Sequence, residues 1–255
     1  IIDAPLADAF SADFAERCQR VPAEHFERLA DVVITFGGDG TLLAAARLLI
    51  GSDMPIMGVN VGRLGFLAEF PQSSIDQAIV DVVRGNYRIV DRSTLAVTTG
   101  DHAAFALNEV LVERAASSKM IAVRAFVNEH HVADYRSDGV IVTTPTGSTA
   151  YSLAAGGPII VPSATTLCIT PVSPHMLTLR PLIVPDDSEI RFELAFEGTM
   201  ANLVADGQQV VEVRSGDVIT VRRSPHQIKL IKRADSTYYD LLREKLLWSA
   251  DPTSR

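Results

Sequence analysis

The sequence predicts an α/β domain followed by an all-β domain, and two changes of texture carry that prediction. From Asp31 to about Tyr87, short apolar runs alternate with helical segments, as in a parallel sheet with helices laid on it. From about Arg88 the apolar pattern changes to period two, in short runs parted by turn residues, which is the pattern of an all-β domain. Size supports both: 255 residues, 47% hydrophobic and 21% charged, bury roughly 70–75% of the unfolded surface without staples.

The elements follow in order. Val32–Phe36 reads as a buried strand, and Thr41–Ile50, beyond a glycine cluster, as a helix. Pro55–Asn60 is a second buried strand. Ser74–Arg84 is a second helix, with capping-box spacing in Ser74-Ile75-Asp76-Gln77 and a stop at Gly85. Further on, Ile121, Val123, Ala125 and Val127 share one face of a strand that ends in a turn at Asn128-Glu129. Ile190–Phe196, Asn202–Ala205, Gln209–Val213, Val218–Val221 and Ile228–Ile231 continue the alternation, with turns at Asp206-Gly207 and Ser215-Gly216. Tyr238 to Trp248 reads as an amphipathic helix. The domains expected are therefore 1–90, α/β with the glycine cluster; 91–232, all β; and 233–255, a C-terminal segment that packs back on the first.

Composition excludes several classes. A net charge of −8 argues against a general nucleic-acid binder, which carries a basic face. An anionic ligand must be held by local N–H groups or a few placed cations. Cys18 and Cys168 form no Cys-x-x-Cys pair, so a reducing cytoplasm is the expected compartment. No run approaches the roughly 18 apolar residues of a membrane span. The six histidines show no metal-ligand spacing, and His130-His131 beside its turn reads as exposed. No Gly-x-Ser-x-Gly elbow is present.

The segment richest in chemistry is Ile34-Thr35-Phe36-Gly37-Gly38-Asp39-Gly40-Thr41. Gly37, Gly38 and Gly40 let a ligand reach main-chain N–H groups, and the helix that follows adds unpaired donors and a positive dipole end. It is neither a Walker A loop, lacking the Lys, nor a dinucleotide fingerprint. Asp39 has two readings. It is a helix cap, or it is an acid set among phosphate-binding amides to take a proton from a hydroxyl nucleophile or to meet a magnesium ion.

Gly-Gly-Asp-Gly-Thr after a buried strand resembles the motif shared by NAD kinases, diacylglycerol-type lipid kinases and, more distantly, phosphofructokinases. Further segments resemble bacterial-type NAD kinases in particular. They are Gly58-Val59-Asn60-Val61-Gly62-Arg63-Leu64-Gly65-Phe66-Leu67, Asn108-Glu109, Arg136-Ser137-Asp138-Gly139, and the run Thr144 to Pro158. Weaker matches are Leu179-Arg180-Pro181 and Asp206-Gly207-Gln208. They occur in family order from about residue 31 onward.

That resemblance implies a phosphofructokinase-like parallel-sheet domain and a β-sandwich domain with NAD between them, in a homodimer or homotetramer. It also implies transfer of a phosphoryl group from ATP or polyphosphate, with magnesium, to the adenosine 2′-hydroxyl of NAD, forming NADP. Asp39 would be the general base with Gly40 at its side, and Gly37, Gly38 and Thr41 the phosphate loop. Asn108 and Glu109 would hold the adenosine end, by amide and by carboxylate. Arg136 and Asp138 fall at the nicotinamide-ribose and pyrophosphate portion. Thr149, Ala150, Tyr151, Ser152, Leu153 and Ala154 would wall the adenine, while Lys119 and Gln208 match further ligand contacts. No metal-ligating side chain is assigned. Taken alone, Asn108-Glu109 also reads as a surface strand end, Lys119 as a solvated side chain, Tyr151 as a core aromatic and Asp138 as a turn residue.

Two departures stand out. Ala44 occupies a position where the family often has Arg, with Arg47 one turn on as a substitute or as a surface residue. Residues 1–30 show no clear version of the family's opening strand and turn. A lipid kinase and a non-catalytic NAD-binding regulator are the alternatives; the former lacks the Thr-Gly-Ser-Thr-Ala-Tyr-Ser run present here.

Overall fold

The computed structural model describes residues 1–3, 16–62, 65–115, 120–195 and 200–248. The chain forms two compact units, one of residues 1–91 with 228–255 and one of 92–227.

In the first unit, Val33–Gly37 and Ile56–Asn60 pair in parallel, and Ile56–Asn60 pairs in parallel again with Phe70–Pro71 and, at Leu230, with the late strand. Every residue of Ile56–Asn60 is buried, which is why this stretch reads as a continuous apolar run and not an alternation. Met57, Val59, Phe70, Ala78 and Ile231 make its core. The first helix is Asp39–Leu48, two residues earlier than the apolar pattern suggests, because Gly38 takes the N-cap position with extended dihedrals. Asp39 therefore stands in the first helical turn. The second helix is Ile75–Val83, stopped as expected by Gly85 at φ +74°. Its capping box does not form: Ser74 Oγ donates to the Pro71 carbonyl at 3.2 Å, closing the 3-10 turn Gln72–Ser74 that precedes the helix. The final helix, Tyr238–Leu246, has the box that Ser74 lacks, between Thr237 and Asp240, and buries Leu241 and Leu242.

In the second unit, six antiparallel strands follow the order Leu182–Pro185, Thr166–Val172, Gly139–Thr143, Glu109–Arg114, Met200–Ala205, Gln208–Arg214. His130–Ser137, Ile121–Val127 and Ile190–Leu194 are antiparallel neighbours in another sheet, followed by residues 218–221. Val112, Val140, Leu167 and Leu203 from the former share one core with Val123, Ala125, Phe192 and Ile219 from the latter. Asn128 and Glu129 turn the hairpin with φ of +47° and +67°, as a tight two-residue hairpin requires. Val218–Val221 and Ile228–Ile231, expected as separate strands, belong to one strand, Val218–Arg233. Pro225, in its middle, keeps the extended backbone.

Candidate active site

Two loops, one in each unit, are built by the same device. In the first unit the Asp39 carboxylate accepts three consecutive backbone N–H groups: Phe66 on Oδ2 at 2.8 Å, and Leu67 and Ala68 on Oδ1, each at 3.1 Å. Gly65 makes this approach possible, since a Cβ there would overlap Asp39 Oδ1. The side chain thus caps no helix of its own. Oδ1 has both acceptor positions filled, while Oδ2 has one filled by this set and room for a further donor. Around it the glycine loop is open. Gly38, Gly40 and Thr41 are exposed, and a Cβ at Gly38 or Gly40 would meet nothing within 4 Å. The helix that begins at Asp39 sets its N-terminus, the end of a helix that carries unpaired N–H groups, at this loop.

One cation near Asp39 comes from far along the chain. Residues 37–46 contain no Lys or Arg. Arg47 does not stand in for one: it is exposed, in the last turn of the helix, about 12 Å along the axis from Asp39. Lys245, on the C-terminal helix, lies with Nζ 5.9 Å from the centre of the Phe66 ring. Burial lowers its pKa, and attraction to Asp39 opposes that shift.

In the second unit the Asp206 carboxylate accepts from Leu107 N at 2.7 Å, Asn108 N at 2.8 Å and Glu109 N at 3.1 Å. The other side of this turn is fastened too. Thr144 N and Thr143 Oγ1 donate to the Asn108 carbonyl at 2.9 and 3.0 Å, and Thr144 Oγ1 donates to that of Leu107 at 2.7 Å. Gly147 is needed here, because a Cβ would overlap the Asn108 carbonyl. Asn108 is only 7% exposed, so it is no surface strand end, and Glu109 opens the strand Glu109–Arg114.

Glu109 is perturbed. Burial, and then repulsion from Asp206, pushes its carboxyl up to about 7, against a hydrogen bond from the Tyr151 backbone. Its Oε2 is buried with no protein partner. A buried acceptor left open beside a fastened backbone is what a ligand hydroxyl would satisfy. The raised value also predicts how stability follows pH. Between the ordinary 4.5 and about 7, the folded state holds a proton that the unfolded state has lost. The contribution is present in full below about 4.5 and is lost as pH rises through about 7. Glu109→Gln should therefore melt higher than the natural protein at pH 8, with the difference shrinking toward pH 4.5. Melting curves across that range check this, and a pH-independent difference would contradict it.

The remaining expected residues divide. Asp138 pairs with Arg114 at 3.1 Å, so it is more than a turn residue. With Arg114, Glu113, Gly139, Tyr151 and Ser173 it lines a polar cavity of about 450 Å³ within the second unit. Tyr151 is 42% exposed, which removes the core-aromatic alternative. Arg136 is exposed, Thr149, Ala150 and Leu153 are half-buried, and Ala154 and Gln208 are exposed. Ser152 is fully buried, its Oγ 2.9 Å from Thr170 Oγ1, so it braces the Tyr151–Ala154 turn from inside. Lys119 lies outside the described residues. His130 and His131 are exposed, and His131 pairs with Asp134 at 3.0 Å.

Sequence reasoning missed Asp206 as a fastener, the 66–68 amides, Arg114 and Lys245. Asp206-Gly207 carried a turn signal, and Gly65 lay inside a noted block, but spacing alone joins neither to its partner. Among the described residues, no three His, Cys, Asp or Glu side chains gather to hold a metal ion.

Residues 7–87 match the ATP-NAD kinase N-terminal domain, and residues 107–233 match the ATP-NAD kinase C-terminal domain. The chain belongs to the NAD kinase family. It is 39% identical over 249 residues to the NAD kinase of Geobacter metallireducens, spanning 96% of this chain and 88% of that one. To the NAD kinase of Bacteroides fragilis it is 41% identical over 226 residues, or 87% and 78% of the two chains. Among solved structures it resembles yeast NADH kinase complexed with NADH, with a TM-score of 0.85 and 25% identity over 92% of this chain and 72% of that one. It also resembles an Archaeoglobus fulgidus NAD kinase in complex with ATP, with a TM-score of 0.77 and 29% identity over 89% and 86%. Nothing in these NAD kinase matches supports the lipid-kinase or regulator alternatives.

Proposed function

We propose that this NAD kinase family enzyme phosphorylates the 2′-hydroxyl of the adenosine ribose of NAD, forming NADP, with Asp39 taking the proton. The observation that supports this assignment most is the Asp39 carboxylate itself. Three N–H donors fix its orientation beside an open glycine loop, and Oδ2 retains room for one more donor. A ribose hydroxyl placed there is oriented by Oδ2. Its proton passes to Oδ2 as the new P–O bond forms and the bond from the transferred phosphorus to the donor's bridging oxygen breaks, releasing ADP or a polyphosphate one unit shorter. A sugar hydroxyl is too weak an acid to give up its proton to a carboxylate beforehand, so the transfer accompanies attack.

The rest is positioning and charge, which dominate phosphoryl transfer. N–H groups at the start of Asp39–Leu48 bind the donor phosphates, and Lys245 adds positive charge near Phe66. Asn108 and the open Oε2 of Glu109 hold the adenosine, with the Thr149–Ala154 turn as wall. Asp138 and Arg136 take the nicotinamide-ribose and pyrophosphate end. When bound, magnesium on the donor phosphates neutralises charge on the transferred group.

Purified protein with NAD, magnesium and ATP should form NADP, and polyphosphate in place of ATP reads the donor choice. Binding of NAD without NADP from either donor would overturn the catalytic reading. Light scattering on the same preparation reads the homodimer or homotetramer in this proposal; a mass of 27.5 kDa at all working concentrations would exclude both.

A further inference from the structure

The first unit buries one lysine that the mechanism above leaves unused. Lys232, near the end of the late strand, is 4% exposed. Its Nζ lies 3.0 Å from Glu69 Oε2 and donates to the Leu67 carbonyl at 3.0 Å. Glu69 is held in turn, because its Oε1 accepts from Arg233 N at 2.9 Å. Removing two such groups from water is costly, and apolar residues would usually serve the fold as well. What this pair does that an apolar pair cannot is grip a backbone carbonyl. That carbonyl belongs to Leu67, whose own N–H donates to Asp39 Oδ1, between the Phe66 and Ala68 N–H groups that complete the set. The loop is gripped from both sides: Lys232 holds its oxygen, and Asp39 holds its N–H groups. Ala68 is wedged as well, since a Cβ at Gly58 would come within 2.8 Å of Ala68 Cα.

We infer that Lys232, neutralised by Glu69, is a positioning residue for Asp39: it fixes the 66–68 loop whose three N–H groups aim the carboxylate. This rests on the role given to Asp39 above. In phosphoryl transfer, where geometry supplies most of the rate, a loop free to shift costs turnover and leaves NAD affinity largely intact.

Lys232→Met alone strands a buried Glu69 charge and risks the fold, so the test uses Lys232→Met with Glu69→Gln, which removes both charges and keeps an acceptor for Arg233 N. The expected result is a folded protein with kcat lower by about 10- to 100-fold and KM for NAD within about threefold. The decisive comparison repeats the change on an Asp39→Asn background. If the pair acts through Asp39, it should cost less than about threefold there, because acting units are not additive. Equal fold losses in both backgrounds, or unchanged kcat in the folded double variant, would overturn the inference. Hydrogen exchange gives a readout that needs no turnover. The amides of 66–68 should exchange at least tenfold faster in the variant while those of Ile56–Asn60 stay protected, and unchanged exchange at 66–68 would overturn it equally. Absence of NADP from the natural protein, with the exchange result intact, would instead sink the reading of the reaction and leave the anchoring in place.

Discussion

Asp39→Asn is expected to lose about 10²- to 10⁴-fold in kcat for NADP formation, the usual worth of general-base help, while binding NAD within a few-fold of the natural protein. Asparagine matches the acid in shape and keeps one oxygen for the Leu67 and Ala68 N–H groups. It cannot take a proton near neutral pH. The structure adds a cost that shape alone conceals. The Phe66 N–H, now 2.8 Å from Oδ2, would face an amide NH₂, so one partly buried hydrogen bond is lost at about 1–3 kcal/mol. A melting point a few degrees lower is therefore part of the expectation. Were Asp39 only a helix cap, Asn would cap as well and turnover would be normal. Its side chain bonds to residues 66–68 and not to its own helix, which argues against that. Steady-state kinetics and calorimetric NAD titration, with circular dichroism as a fold control, decide it. Near-normal turnover in a folded variant would remove Asp39 from the chemistry.

Asp206→Ala is expected to weaken NAD binding at least tenfold, or about 1.4 kcal/mol, although Asp206 lies outside the residues assigned to touch NAD. Three consecutive N–H groups at Leu107, Asn108 and Glu109 lose their acceptor together. Water repairs part of that, so a stability loss of about 2–4 kcal/mol is anticipated from unsatisfied donors. The turn that presents Asn108 would be held only from the Thr143–Thr144 side. Removing the Asp206 charge also takes away the repulsion that helps raise the Glu109 pKa. The pH window in which Glu109 affects stability should then narrow from its upper end. Calorimetry gives the dissociation constant, and melting at several pH values follows the Glu109 shift. A folded variant with unchanged NAD affinity would show that the Asn108-Glu109 turn is held well enough without it.

Features that depend on neighbours along the chain are legible in the amino-acid order alone. Buried runs such as Ile56–Asn60 show as strands because a strand covered on both faces has no polar positions. The Asn128-Glu129 and Asp206-Gly207 turns show because few residue pairs accept positive φ. The glycine loop before Asp39 is legible because its three glycines, strand and helix are contiguous, and family membership is legible because the motifs are written in order. Even locally, competition between neighbours is hidden: Ser74 Oγ bonds to the Pro71 carbonyl, so its capping box does not form. Which distant groups meet emerges only once the chain has folded. Asp39 finds its donors 27 to 29 residues later, Asp206 holds a turn about a hundred residues earlier, and Lys232 grips Leu67 across 165 residues. The reason is physical. A carboxylate or ammonium in the interior must find hydrogen-bond partners wherever the fold brings them, and backbone amides, which every residue but proline carries, leave no mark in the sequence.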